Sequence, residues 1–384
     1  MRDTTQYAEK QHVELFNFTK KAGMMNRPFS FYASLKERAF SPSTLKEKRE
    51  IRREMRQRRS HQDPRAARRK NQCIFERIVS LPEWKETRSV ALYSAMPDEV
   101  QTEAIAQFCL NTGKTVVYPI VIDREIEFFE VKNVELDLCH SGSFGIREPD
   151  PLRCEKIPVS SIDLFLVPGI AFDPFGDRVG FGAGYYDRLL IPKRRDARTV
   201  ALAYEFQVVH AIRTTENDFR MDRIVTDESV YSPQVSHFHC PSESDTRSWA
   251  QDLWQHGLKE GDTLALHADL GTGKTVFTQG LAHALEAGRD VVSPTFIYSR
   301  EYSGTIPLIH VDAYRLDGIA EGDEPFWDEL LERPGIRVIE WAEHLGERLP
   351  KSTIHCYGQI LDDRTREWIL FTPLREQSIL QPTD

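Results

Sequence analysis

The segment Ala268-Asp-Leu-Gly-Thr-Gly-Lys-Thr275 leaves the second part of this chain few folds to choose from. It follows the apolar run Thr263 to His267 and opens a stretch of helical spacing, which is the context a phosphate-binding loop requires. A glycine-rich turn between strand and helix gathers backbone N–H groups at the positive end of a helix, where an anion is stabilised. Asp269, Leu270, Gly271, Thr272 and Gly273 form the cradle. Lys274 is placed for the β- and γ-phosphates of ATP, and Thr275 for Mg2+. Ala268 stands where glycine is usual, and Gly271 and Gly273 supply the closest backbone approach. Further strands are predicted at Pro307 to Asp312, Arg337 to Glu340, Thr353 to Tyr357 and Trp368 to Phe371. Residues 246–374 therefore read as a P-loop α/β domain, with 375–384 as a tail.

A chain of 384 residues exceeds one ordinary core, so a second domain is expected ahead of this one. Apolar runs at Val90 to Tyr93, Thr115 to Pro119, Ile162 to Pro168 and Thr199 to Tyr204 alternate with helical stretches, the pattern of a layered α/β domain. It is assigned to residues 43–231, with a helix opening at Ser43 or Thr44. Residues 1–42 read as a poorly ordered extension, and the Ser- and Pro-rich stretch 232–245 as a linker. Residues 1–240 carry 37 lysines and arginines against 34 acidic residues, whereas 241–384 carry 13 against 25. An acidic second half grips nucleic acid poorly and suits docking on another protein. The six cysteines form no CxxC pair, and no apolar run approaches the ~18 residues of a membrane span. A cytoplasmic protein is expected.

The first domain carries its own glycine-rich loop. Arg178-Val-Gly-Phe-Gly-Ala-Gly-Tyr-Tyr-Asp187 follows an apolar strand, and Gly180, Gly182 and Gly184 alternate before Tyr185. Such a loop lets the backbone approach a phosphate or a flat ligand closely, and also serves as a plain tight turn. Lys48 and Arg52 lie i, i+4 on the basic helix and share one side of it.

Together with Lys48-Arg-Glu-Ile-Arg52, Tyr93-Ser-Ala-Met-Pro-Asp-Glu-Val-Gln-Thr102, Phe144-Gly-Ile-Arg-Glu-Pro149 and Glu216-Asn-Asp-Phe-Arg-Met-Asp-Arg-Ile-Val-Thr226, this loop resembles the 5-formyltetrahydrofolate cyclo-ligase family over residues 45–230. The resemblance implies that Lys48 and Arg52 bind ATP phosphates. It makes Arg178, Gly180, Phe181, Gly182, Ala183, Gly184, Tyr185 and Tyr186 the nucleotide loop. Glu99, Phe144 and the Phe181 to Tyr185 segment face the folate, and Asp187 and Asp218 hold magnesium. Phe181 stands where Arg, Tyr or His is common, and Ala183 where Gly or Lys is common, so Phe181 supplies no charge there. In the implied reaction ATP phosphorylates the formyl oxygen, and a nitrogen of the same substrate attacks the activated carbon as phosphate leaves. The nucleophile belongs to the substrate, so the protein positions and neutralises.

The P-loop, Ser293-Pro-Thr-Phe296, His310-Val-Asp-Ala-Tyr-Arg-Leu316 and Ile339-Glu-Trp341 resemble the TsaE family over residues 242–372. That family's ATPase supports threonylcarbamoyladenosine synthesis on tRNA. The resemblance implies an adenine-side Thr246, a switch-loop Thr295, Asp312 in the magnesium shell, Glu340 at the metal or attacking water, and Trp341 beside the nucleotide. It also implies TsaB- and TsaD-type partner subunits, with tRNA engaged only indirectly.

The leading expectation is a bifunctional enzyme with catalytic Lys48, Arg52, Lys274 and Glu340. One alternative is a live cyclo-ligase joined to a nucleotide-switch binding module of little turnover. Another is an RNA-binding protein using the basic stretch 46–70, against which the interspersed Glu47, Glu50, Glu54 and Asp63 argue.

Overall fold

The computed structural model describes residues 47–122, 125–139, 145–182, 184–190, 193–215, 218–288, 291–294, 299–314 and 324–377. The extension at 1–42, the cap at Ser43 or Thr44, and Phe144, Ala183 and Thr295 lie outside the described residues. The chain divides into two compact units, at Pro233 and Gln234. Both are α/β.

The first unit opens with α1 (Lys48–Ser60) and α2 (Pro64–Ser80). Asp63 caps α2 by accepting from the Ala66 amide at 2.8 Å, and Pro64 occupies the first turn, where its missing N–H costs nothing. The strands are β1 (Ser89–Ala91), β2 (Thr115–Ile122), β3 (Glu125–Glu130), β4 (Leu164–Val167), β5 (Arg198–Leu202), β6 (Arg223–Val225) and β7 (Ser229–Cys240), with helix α3 (Glu103–Asn111) between β1 and β2. Their order is β7-β6-β5-β4-β1-β2-β3, and β2, β1, β4, β5 and β6 run parallel. Successive residues face opposite sides of a strand. Accordingly Val90, Leu164, Leu166, Val200 and Leu202 join one core cluster with Ile74, Ile78 and Ile105 from the helices. Ala91, Phe165, Val167 and Ala201 join a second cluster on the other face. Burial on both faces explains why these strands read as unbroken apolar runs. Strand order reverses between β1 and β4, the place where open α/β sheets bind ligands. Tyr93 and Ser94 follow β1 there, and Pro168 follows β4.

The second unit holds α5 (Glu243–His256), β8 (Thr263–Ala268), α6 (Lys274–Ala284), β9 (Ser299–Tyr302), β10 (Leu308–Asp312), α7 (Glu324–Glu332), β11 (Ile336–Glu340), β12 (Ile354–Ile360) and β13 (Arg366–Gln377); α4 (Tyr185–Leu189) belongs to the first. The order is β9-β10-β11-β8-β12-β13, with β10, β11, β8 and β12 parallel. Trp249, Phe277, Leu281 and Trp368 pack one face of this sheet, and Trp327, Leu330 and Ile339 the other. Helices α5 and α6 cross closely at Gly280, where an added Cβ would lie 2.5 Å from the Arg247 carbonyl oxygen.

The stretch 232–245 is not the irregular linker its composition suggests. It continues β7 to Cys240, and Ser242 then caps α5 by accepting from the Asp245 amide. The early part of β7 pairs with β6 (Ile224↔Tyr231, Val225↔Val230). Because the first sheet's pairing ends before Pro233, a fragment of residues 43–235 is expected to unfold cooperatively on its own. Thermal denaturation followed by circular dichroism checks this; a fragment without a cooperative transition would contradict it. No helix among the described residues is long and apolar enough to cross a membrane.

Candidate functional site

Each unit gathers its chemistry at the ends of its parallel strands. In the first unit, a cavity of about 620 Å³ is lined by residues from α1, the ends of β1 and β4, the β2–β3 hairpin and the glycine loop. That volume suits a small-molecule site.

Two turns of α1 present Lys48 and Arg52 to this cavity. Arg52 Nε donates to the Gly180 carbonyl at 2.8 Å, which ties the helix to the loop. The loop leaves its strand at Arg178–Val179 and turns through Gly182 (φ +117°) and Gly184 (φ +65°) into α4. Side chains rarely adopt these angles, so the glycines are required by the turn. Lys48 forms an ion pair with Asp218. Asp218 also accepts from the Thr215 amide at 2.7 Å. Asp187 accepts from Arg178 Nη2 at 2.7 Å, and Arg178 is only 5% exposed. Both carboxylates assigned to magnesium thus line one cavity beside the cations assigned to phosphate. Among the described residues no three His, Cys, Asp or Glu side chains converge on a metal position. Magnesium suits such a pair, since it commonly takes one or two carboxylates and completes its shell with phosphate oxygens and water.

The remaining wall is apolar: Met96, Pro119, Val121, Ile126 and Ile146. Two acids sit in it. Glu99 is 6% exposed; its Oε2 accepts from the Met96 amide at 2.9 Å, and burial pushes its carboxyl up to about 7. Burial also raises the Glu148 carboxyl. Sequence reasoning assigned no role to Glu148, although it lies in the Phe144 to Pro149 segment, or to the β2–β3 wall, which carries no motif signal. Phe181 lies on the cavity 39% exposed, and Tyr185 and Tyr186 line it as well, with Arg188 over the Tyr185 ring at 5.5 Å.

In the second unit the loop at Asp269 to Gly273 joins β8 to α6. Gly271 (φ +81°) and Gly273 (φ +99°) take the left-handed turns, and no neighbour fills the space at Gly271. Leu270 is 85% exposed, whereas Thr272 is 1% exposed and its hydroxyl has no hydrogen-bond partner among the described residues. Lys274 Nζ donates to the carbonyls of Ala268 (2.7 Å) and Asp269 (3.1 Å) and lies 4.1 Å from the Trp341 ring centre. Burial lowers the lysine's pKa, while Glu340, Glu343, Asp312 and Asp269 oppose the shift. Parallel register sets Asp312 of β10 beside Glu340 of β11. Glu340 Oε1 is 2.9 Å from His310 Nε2, and Thr275 Oγ1 donates to it at 3.4 Å. Asp312 accepts from Ser293 Oγ at 3.1 Å and from the Tyr314 amide at 3.0 Å. A hydroxyl and two carboxylates are hard oxygen donors that fit a magnesium–phosphate pair. Trp341 holds a left-handed backbone (φ +56°), strain that turns the chain immediately after Glu340. Thr246 is buried in the first turns of α5, donating to the Ser242 carbonyl at 3.5 Å, and no hydrogen bond joins it to the loop among the described residues.

Comparison with known proteins divides the chain in the same way. Residues 44–227 match the model of the 5-formyltetrahydrofolate cyclo-ligase family, and residues 240–368 that of threonylcarbamoyl adenosine biosynthesis protein TsaE. A probable 5-formyltetrahydrofolate cyclo-ligase of Schizosaccharomyces pombe is 32% identical over 174 residues, covering 41% of this chain and 83% of that protein. The tRNA threonylcarbamoyladenosine biosynthesis protein TsaE of Bacillus subtilis is 41% identical over 115 residues, covering 30% of this chain and 71% of that protein. Among solved structures, the 5,10-methenyltetrahydrofolate synthetase of Aquifex aeolicus is 34% identical with a TM-score of 0.44, covering 48% of this chain and 91% of its own.

Proposed function

Since this chain belongs to the 5-formyltetrahydrofolate cyclo-ligase family through its first unit and to the TsaE family through its second, we propose that it is a bifunctional, cytoplasmic protein with two separate ATP sites. The first unit converts 5-formyltetrahydrofolate to 5,10-methenyltetrahydrofolate and releases ADP and phosphate. The second binds and hydrolyses ATP in support of threonylcarbamoyladenosine formation at position 37 of tRNA, acting with partner subunits of TsaB and TsaD type and touching tRNA only through them.

The observation that carries the first reading is a single cavity with phosphate-type chemistry and an apolar wall. Lys48, Arg52, Arg178 and the loop amides neutralise and orient the triphosphate. Asp187 and Asp218 would hold magnesium, which supplies charge neutralisation at the transferred phosphoryl group. Phosphate arriving at Lys48 exchanges for Asp218 as its partner and so frees that carboxylate for the metal. Met96, Pro119, Val121 and Ile126 cover the flat rings of the folate and exclude water. With both substrates held, the formyl oxygen faces the γ-phosphate and the second nitrogen lies within reach of the activated carbon, so proximity supplies much of the rate. Mass analysis of folate products after incubation with ATP, magnesium and 5-formyltetrahydrofolate tests this. The methenyl product with equimolar ADP is expected, and unchanged substrate would overturn the reading.

In the second unit the contact of Thr275 with Glu340 carries the reading, because it joins a metal-side hydroxyl to a carboxylate able to orient water. Glu340→Ala is expected to bind ATP normally and to hydrolyse it about 100-fold more slowly with partners present. Single-turnover hydrolysis checks it. Turnover that is slow in the unsubstituted protein and unchanged by the substitution would favour a nucleotide-switch module instead.

A further inference from the structure

Arg59 continues the ligand-binding face of α1. Positions 48, 52, 55 and 59 follow the helical period, so Arg59 lies on the side that presents Lys48 and Arg52 to the cavity. Unlike the arginines around it, it is 3% exposed. Its Nη2 donates to Asp98 Oδ1 at 2.7 Å and lies 3.7 Å from Glu99 Oε1, and its Nε donates to the Asp98 carbonyl at 3.3 Å. Nη1 has no hydrogen-bond partner among the described residues, and neither has Glu99 Oε1, although both are buried. Two buried, complementary polar atoms left unpaired on adjoining side chains, one of which lines the cavity, are unusual in a folded protein. The guanidinium also lies 5.7 Å from the ring centre of Phe181, which itself faces the cavity. A cation therefore stands behind the very position whose side chain brings none.

We propose that Arg59 is a positioning residue for substrate recognition: it orients Glu99 and favours its carboxylate form, with Oε1 free to accept from the N–H donors of the folate's pteridine ring. The inference rests on the folate reading of this cavity and adds to it the residue that makes Glu99 competent. The other charged or titratable groups facing Glu99 do not do this. Asp98, in its own turn, repels it. Tyr93 after β1 and Tyr186 on α4 are neutral phenols whose burial pushes their titration upward. Tyr204 after β5 donates to the Glu99 backbone carbonyl, not to its carboxylate. The Met96 amide, which donates to Oε2, favours the charged form, and among the side chains only Arg59 adds to it, by its field.

The sign of the effect follows. Removing an adjacent cation raises a carboxyl's pKa, commonly by one unit or more. More of Glu99 is then protonated near neutral pH, and a protonated Oε1 is a poor acceptor. For the full-length protein, Arg59→Leu is expected to raise the KM for 5-formyltetrahydrofolate about tenfold at pH 7. The rise should shrink toward pH 9, while the KM for ATP stays unchanged. Arg59→Lys, which keeps a cation and most of the side-chain stem, should show a smaller shift of the same profile. Glu99→Gln should raise the folate KM at every pH, and adding Arg59→Leu to it should change nothing further. A folate KM that does not move, or that rises equally at all pH values, overturns the proposal. If Arg59→Leu does not fold, the pH profile of Arg59→Lys decides: a profile superimposable on that of the unsubstituted protein overturns it. Absence of folate turnover in the unsubstituted protein would instead strike down the folate reading, and the inference with it.

Discussion

Lys274→Ala is expected to abolish nucleotide-dependent support of tRNA threonylcarbamoylation and to leave folate cyclisation at its full rate. No other cation lies in the loop 268–275. Lys274 is 6% exposed, its ammonium anchored on the Ala268 and Asp269 carbonyls and covered by the Trp341 ring. Around it stand Glu340, Glu343, Asp312 and Asp269, whose fields favour its charged form. Its removal takes away the point charge for the phosphates and leaves these carboxylates uncompensated, so the local field turns against an anion. A lost charge-assisted contact alone costs about 1.5–3 kcal/mol, or roughly 10- to 150-fold in affinity. The repulsion adds to this. Nucleotide affinity by calorimetry, ATP turnover with partner subunits and cyclisation rate are measured on the same preparation. A fall in cyclisation matching the fall in ATP turnover would mean that the two sites are not separate.

What could be read in advance depended on whether a function needs a particular backbone. The P-loop, Asp312 and Glu340 were legible because each sits at the end of a buried parallel strand, where a sequence must show an apolar run followed by the polar residue it delivers. The glycine loop was legible because the angles at Gly182 and Gly184 demand glycine. Side chains that act through tertiary contact left no such trace. Arg59 is one arginine in the run Arg56, Gln57, Arg58, Arg59, and only its burial against Asp98 and Glu99 singles it out. The β2–β3 wall is formed by antiparallel pairs such as Ile120↔Glu127 and Val121↔Ile126, and β3 is a short strand with charged residues at both ends. The Ser- and Pro-rich composition of 232–240 misled because strand pairing uses the backbone, and a strand beside other strands needs few apolar side chains to persist.

Asp187→Ala and Asp187→Asn are expected to part company in stability while both losing the folate reaction. Asp187 Oδ1 accepts from Arg178 Nη2 and lies 3.4 Å from the Phe219 amide. Arg178 is nearly fully buried, and its Nε has no partner among the described residues, so the carboxylate is its main compensation. Deleting one member of a buried ion pair costs about 3–5 kcal/mol because the other charge is stranded. Asp187 itself is 21% exposed at its side chain, and water reaching it reduces the penalty toward the lower figure. Asp187→Ala is therefore expected to lower unfolding stability by about 3 kcal/mol. Asp187→Asn keeps an oxygen for the guanidinium and should lose about 1 kcal/mol. For catalysis the two should agree. An amide is a weak magnesium ligand and brings no charge, so cyclisation should fall about 100-fold in each, under conditions where both remain folded. Lys48→Ala supplies the contrast, because Lys48 and Asp218 are both partly exposed, and their separation should cost cyclisation without a comparable loss of stability. Urea denaturation and cyclisation rates on the three variants check the set. If Asp187→Asn cyclised folate at the unsubstituted rate, Asp187 would be a structural partner of Arg178 and no part of the reaction.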